Sequence, residues 1–194
     1  MPHSILIIDG HPNPDSLNAA LADAYFRTAQ TAGADVKKLV LRDLRFDPNL
    51  AHGYRQRTEW EPDLRRAWEM ISAADHLVWV HPVWWGGLPA LTKGFIDRVF
   101  LPGYAFKYRE NSVWWDKLLK GKTARIICTL DQPYWYYRWV NGRPGIRQLK
   151  KMTLEFCGIA PVKVTAFGPV RSASEAGRKK MLARTGRTAS ADMR

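Results

Sequence analysis

The chain has 194 residues, 46% of them apolar, and 30 Lys and Arg against 18 Asp and Glu give a formal net charge of +12. That length supports one domain with a full core, and no apolar run approaches the roughly 20 residues of a membrane-spanning helix. The N-terminus has no basic n-region, and Cys128 and Cys157 lie far apart without metal-ligand spacing, so we expect a cytoplasmic protein with reduced, buried thiols.

The elements alternate along the chain. "ILIID" (5–9) is a short apolar run suited to a strand buried on both faces. "GHPNPDS" follows as a loop, and Ser16 can cap a helix from Leu17 to about Ala32. "DVKKLVL" (35–41) reads as a second strand, followed by an irregular segment to about Glu61. Pro62 then opens a helix whose apolar residues Leu64, Ala67, Trp68 and Ile71 recur at helical spacing. "HLVWV" (76–80) is a third strand, "HPVWWGG" a loop, and Leu88 to Phe100 a helix. "ARIICTL" (124–130) is a fourth strand, and an aromatic loop runs from Asp131 to about Gly145. "IRQLKKMTLEFCG" reads as a helix closed by Gly158, "PVKVTAF" as a fifth strand, and 174–184 as a last helix. We expect one domain over 1–185 and a basic flexible tail over 186–194.

Strands that each lead into a helix predict an α/β fold, with a five-stranded parallel sheet of order 2-1-3-4-5 between two helical layers. Such sheets bind ligands beyond the carboxyl ends of their strands, at the point where strand order reverses. The loops there are those after the first, third and fourth strands. The first ends at a helix N-terminus, where His11, Ser16 and Asn18 add donors that suit a phosphate; plain capping by Ser16 is the simpler reading. The second places Trp84 and Trp85 before Gly86 and Gly87, which suits a flat, apolar ring rimmed by acceptors; packing of one tryptophan into a core or an interface is the alternative. The third holds Tyr134, Trp135, Tyr136, Tyr137 and Trp139 around Arg138 and Arg143, as a ring wall with phosphate contacts or as a lid or subunit contact. Neither GxGxxG nor a Walker lysine is present, which disfavours a Rossmann dinucleotide site and a P-loop.

The segments "GHPNPDSLNAAL", "HPVWWGGLPALTKGFIDRVFLPGYAF" and "GIRQLKKMTLEFCGI" resemble the NAD(P)H:quinone oxidoreductase family, the DT-diaphorase-like proteins that include bacterial modulators of drug activity. The resemblance covers about residues 4–168. It implies a flavodoxin-like fold, a bound flavin, a homodimer and two-electron reduction of quinones by NADPH or NADH, by a ping-pong mechanism. FAD is the flavin we expect, with FMN the alternative. The resemblance carries flavin-diphosphate contacts to His11, Ser16, Leu17 and Asn18, and ring contacts to Pro82, Val83, Trp84, Trp85 and Gly86. It sets Thr129, Leu130 and Asp131 beside the ring, with Tyr136 or Tyr137 at the reacting face as catalytic candidates. The sequence departs from the vertebrate pattern there: the usual Thr-Thr-Gly-Gly becomes Thr129-Leu130-Asp131-Gln132, and no histidine follows His81. The group that steadies charge on a reduced flavin is therefore left without a candidate.

Two other readings stay open. One is a flavin-binding ancillary subunit of a membrane potassium efflux system, for which the basic surface would support peripheral attachment to an anionic membrane. The other is a non-redox module such as a phospho-receiver, for which only Asp9 fits. The basic residues form no stripe interleaved with aromatics, so no nucleic-acid partner is expected.

Overall fold

The computed structural model describes residues 4–193. The expected sheet is present. β1 (Ser4–Asp9), β2 (Asp35–Val40), β3 (His76–Pro82), β6 (Thr123–Thr129) and β7 (Val162–Phe167) form one sheet of order β2-β1-β3-β6-β7. All its pairs are parallel. The helices are α1 (Leu17–Thr31), α2 (Pro62–Ala73), α3 (Ala90–Val99), α4 (Tyr134–Trp139), α5 (Pro144–Leu149), α6 (Glu155–Cys157) and α7 (Glu175–Asp192). β4 (Phe106–Tyr108) and β5 (Trp115–Lys117) make a small antiparallel hairpin.

The two-residue period of β1 explains the three layers. Ile5 and Ile7 pack with Leu21, Tyr25 and Ala29 of α1 and Ala189 of α7. Leu6 and Ile8 pack on the other face with Leu64 and Ile71 of α2, Phe95 of α3 and Leu149 of α5. Each strand end thus leaves the core between two helical layers, and the loops after β1, β3 and β6 emerge side by side because those strands are neighbours.

Three expectations are corrected. The segment 186–192 is the second half of α7, not a tail; Arg194, its last residue, lies outside the described residues. Asp192 holds this end down: it accepts from Arg125 through both oxygens, and from Tyr25 at 3.0 Å and Lys163 at 3.1 Å. Burial works against its charge, but the hydrogen bonds and charge of Arg125, with the hydrogen bond from Lys163, keep its carboxyl well below the usual carboxylate range. Second, the aromatic loop after β6 contains α4. Third, the helix expected over 146–157 starts at Pro144 and passes through a π-helical stretch, Lys150–Leu154, between α5 and α6. The β4–β5 hairpin lies between α3 and β6, in a segment to which the sequence assigns no element. It closes over α6, where the Trp115 ring stacks on Phe156 at 4.3 Å and donates from its indole to the Phe156 carbonyl at 2.9 Å. Trp115 is therefore half-buried, whereas Trp114 stays exposed.

Candidate functional site

The loop after β1 is built on a buried ion pair. Asp9 ends the strand with its side chain 1% exposed, and one carboxylate oxygen accepts from Arg42 at 2.6 Å. Its other oxygen accepts from the His11 backbone N–H at 3.1 Å, while Arg42 also donates to the His11 carbonyl at 3.1 Å. The His11 ring accepts the Asn13 N–H at Nδ1, 2.9 Å away, so in the neutral ring Nε2 carries the proton and is the free donor. Burial lowers the His11 pKa, which favours that neutral form. Ser16 caps α1 by accepting the Ala19 N–H at 3.1 Å. The Leu17 and Asn18 N–H groups of the first turn have no acceptor among the described residues. The structure therefore contains both features read from the sequence: a capped helix, and unspent donors beside it.

The loop after β3 is a two-residue reverse turn. Trp84 N–H donates to the Gly87 carbonyl at 3.1 Å, and Gly87 N–H to that of Trp84 at 2.9 Å. Between them Trp85 has φ +51° and Gly86 φ +77°, the left-handed pair of a type I′ turn. Glycine accepts that conformation; tryptophan pays about 1–2 kcal/mol for it. Trp85 is fully exposed and Trp84 is 45% exposed. The Trp84 ring meets the His11 ring edge to face at 5.5 Å, which joins the first two loops. Val83 N–H donates to the Thr129 carbonyl at 2.7 Å, so of the 83–87 loop only the Trp85 and Gly86 N–H groups have no acceptor among the described residues.

The end of β6 completes the arrangement. Buried Asn18 reaches across from α1 and donates to the Thr129 hydroxyl at 2.9 Å, while its own carbonyl oxygen is buried without a partner. Pro82 and Leu130 are buried, and Val83 is half-buried. Asp131 is exposed, and its carboxylate accepts the Arg171 N–H at 3.1 Å, which ties the β6 loop to the one after β7. Tyr136 is 40% exposed, in contrast to Tyr137, whose side chain is fully buried. The Tyr137 hydroxyl donates to the Gly86 carbonyl at 3.0 Å and accepts the Gly145 N–H at 3.1 Å. Tyr137 thus braces the tryptophan turn, with its hydroxyl committed to two backbone groups. Tyr136 is the solvent-exposed tyrosine of the pair, edge-on to Trp135 at 5.7 Å.

The structure brings His11, Ser16, Leu17, Asn18, Pro82, Val83, Trp84, Trp85, Gly86, Thr129 and Leu130 into one continuous region, with Asp131 at its margin. Sequence reading missed Arg42 and the support given by Asp9, because a partner 33 residues away leaves no local signal. It also missed Thr92, whose hydroxyl donates to the Gly10 carbonyl at 3.0 Å, and the bracing hydroxyl of Tyr137. The motif beyond the turn serves a different purpose. Gly94 lies against Pro48, where a Cβ would come within 2.5 Å of the proline Cβ. Buried Arg98 donates to Glu61 at 2.7 Å and to the carbonyls of Asp47 and Glu59. Gly94 and Arg98 therefore strap the 44–61 segment onto α3, and the site proper ends near Gly87. The phospho-receiver reading finds no support: Asp9 is tied to Arg42, and no group of three or more His, Cys, Asp or Glu among the described residues could hold a metal ion.

The region has a defined chemistry. Leu17 and Asn18 N–H groups and His11 Nε2–H lie at the start of α1, Trp84 and Trp85 expose aromatic surface, and the Trp85 and Gly86 N–H groups have no acceptor among the described residues. A family model described as flavodoxin-like fold matches residues 3–188. A protein of Haemophilus influenzae named uncharacterized NAD(P)H oxidoreductase is 30% identical over 183 residues, covering 91% of this chain and 89% of that one. Human ribosyldihydronicotinamide dehydrogenase [quinone] is 28% identical, covering 92% and 87%. The crystal structure of Smu.1420 from Streptococcus mutans superposes with a TM-score of 0.81 at 33% identity, covering 96% of this chain and 98% of that one.

Proposed function

The chain belongs to the flavodoxin-like fold family, and from that premise we propose that it is a flavin-dependent NAD(P)H oxidoreductase that passes two electrons to quinones or similar flat acceptors. One observation carries the reading. Trp85 pays for a left-handed backbone and gains no burial, so neither local conformation nor the core accounts for it. A flat ligand laid against the turn does.

The residues fit a flavin in kind and in position. The unspent Leu17 and Asn18 N–H groups and His11 Nε2–H would hold its phosphates. Trp84 and Trp85 would flank the ring, and the Trp85 and Gly86 N–H groups would meet its polar edge. The buried carbonyl of Asn18, without a partner among the described residues, is an acceptor that would suit a hydroxyl of the bound group and not its phosphates. When bound, a flavin supplies a two-electron relay between a nicotinamide and an acceptor. Pro82, Val83, Thr129 and Leu130 keep water from the side nearest the sheet, and Asp131 sets the margin. Tyr136, exposed beside the turn, would contact the acceptor.

FAD is our choice over FMN, on the His11-Pro12 opening of the first loop and its resemblance to FAD-binding proteins. A homodimer fits the exposed Trp114, Trp135 and Trp139, which exceed what a monomer surface usually carries. The human relative is named for a quinone activity. The ancillary-subunit alternative gains no specific contact from the structure. Heat-released cofactor identified by chromatography tests FAD against FMN. Steady-state rates with a nicotinamide donor and a quinone test the reaction: parallel double-reciprocal lines support alternating use of one open face, and intersecting lines argue against it.

A further inference from the structure

The rim of the site carries uncompensated charge. Residues 132–149 contain Arg138, Arg143 and Arg147 and no carboxylate. None of the three forms a salt bridge among the described residues. Their neighbours differ, since Lys150 and Lys151 both pair with Glu155. The nearest carboxylates in sequence are engaged elsewhere: Asp131 accepts the Arg171 N–H, and Glu155 pairs with those two lysines.

The segment that carries the arginines is held against the tryptophan turn. Arg143 adopts a left-handed backbone with φ +54°, and its N–H donates to the Tyr137 carbonyl at 2.9 Å. The next two residues meet the turn directly: a Cβ on Gly86 would lie 3.3 Å from Pro144, and Gly145 N–H donates to the Gly86 carbonyl at 2.8 Å. Arg147 follows four residues on, with its N–H bonded to the Arg143 carbonyl at 2.9 Å. Arg138 lies over the exposed Trp139 ring at 4.6 Å. Three guanidinium groups without a carboxylate partner among the described residues, on the segment that braces the tryptophan turn, are available to pair with an arriving anion.

Resting on the oxidoreductase reading, we infer that the ligand visiting the open face of the turn is a flat ring system bearing an anionic group, and that Arg138, Arg143 and Arg147 read that charge. Phosphate, carboxylate and sulfonate share the chemistry that a guanidinium recognises. Two sources can bring it: the 2′-phosphate that distinguishes NADPH from NADH, or an acidic substituent on the acceptor.

The test uses the full-length, flavin-loaded protein and two matched pairs. NADPH is compared with NADH against neutral 1,4-naphthoquinone. The neutral quinone is then compared with 1,4-naphthoquinone-2-sulfonate at a fixed donor. The wild type is expected to favour the anionic member of at least one pair by about tenfold in kcat/KM, the size of a charge-assisted contact. That preference should shrink as ionic strength rises. It should fall toward parity in the Arg138→Gln, Arg143→Gln, Arg147→Gln triple variant, and part of the way in Arg147→Gln alone. The pair that responds identifies the source. Quenching of tryptophan fluorescence by the sulfonate, without any donor, gives a second readout that turnover does not enter. Parity in both pairs for the wild type overturns the inference, as does a preference and quenching unchanged in the triple variant. Protein that takes up no flavin overturns the oxidoreductase reading, and the quenching comparison still decides whether these arginines bind the anion.

Discussion

At the scale of single residues, Tyr136 and Tyr137 show what a sequence can and cannot separate. Both sit in a six-residue helix, too short for its apolar period to fix which side chain turns inward. The structure decides it by giving the Tyr137 hydroxyl two backbone partners. Tyr137→Phe is expected to cost about 1–2 kcal/mol of stability, because it strands buried groups that the hydroxyl satisfied. Tyr136→Phe should leave stability alone and lower turnover; denaturant titration together with kcat checks the contrast. His81, read as the first residue of the loop, lies within β3. It is fully buried, with Nδ1 against the Pro82 carbonyl at 2.9 Å and Nε2 unpartnered. Burial pulls its pKa from 6.5 down to about 4, partly opposed by the Pro82 hydrogen bond. Below pH 6.5 the unfolded chain then binds a proton that the native state refuses, so stability falls as pH drops and levels off near pH 4. The loss attributable to this group is about 3 kcal/mol. Urea unfolding at both ends of that window should show a shallower pH slope for His81→Phe than for the wild type.

At the scale of elements, the five sheet strands were legible because each is a compact apolar run between turn signals, and the parallel order followed from their alternation with helices. The β4–β5 hairpin was not, since its strands are three residues long and gain their order from packing on α6. The π-helical stretch was equally silent: the Thr153 hydroxyl donates to the Gln148 carbonyl five residues back, a local contact with no compositional mark. The α3 motif divides in a way spacing alone could not reveal, with the tryptophan turn for the ligand and Gly94 and Arg98 for the 44–61 segment. Gly94→Ala places a methyl group 2.8 Å from the Pro48 carbonyl oxygen. It is expected to lift that segment and cost about 1–3 kcal/mol. Limited proteolysis should then cut within 44–61 sooner than in the wild type; unchanged cleavage and stability would dismiss the strap.

At the scale of the molecule, the fold does two separate jobs at opposite ends of its sheet. Where the strands begin, Asp192 locks α7 to Arg125 on β6 and Lys163 on β7, which is why a stretch of small and basic residues that reads as a tail is a docked helix. Where they end, the neighbouring strands β1, β3 and β6 bring anion donors, aromatic surface and free N–H groups together. The three loops stand out in the sequence because each is unusual, and the strand order makes them adjacent. Their supports, Arg42, Thr92 and Tyr137, could not, because they act across the chain. The central claim is that the tryptophan turn exists to hold a flavin, and Trp85→Gly tests it most directly. Glycine relieves the left-handed strain, so the flavin-free variant should unfold at a higher denaturant concentration than the wild type. Flavin titration followed by fluorescence should nevertheless show binding at least about tenfold weaker, through loss of one aromatic face. Greater stability with weaker flavin binding is the result this account predicts. Flavin affinity equal to or above that of the wild type would contradict it.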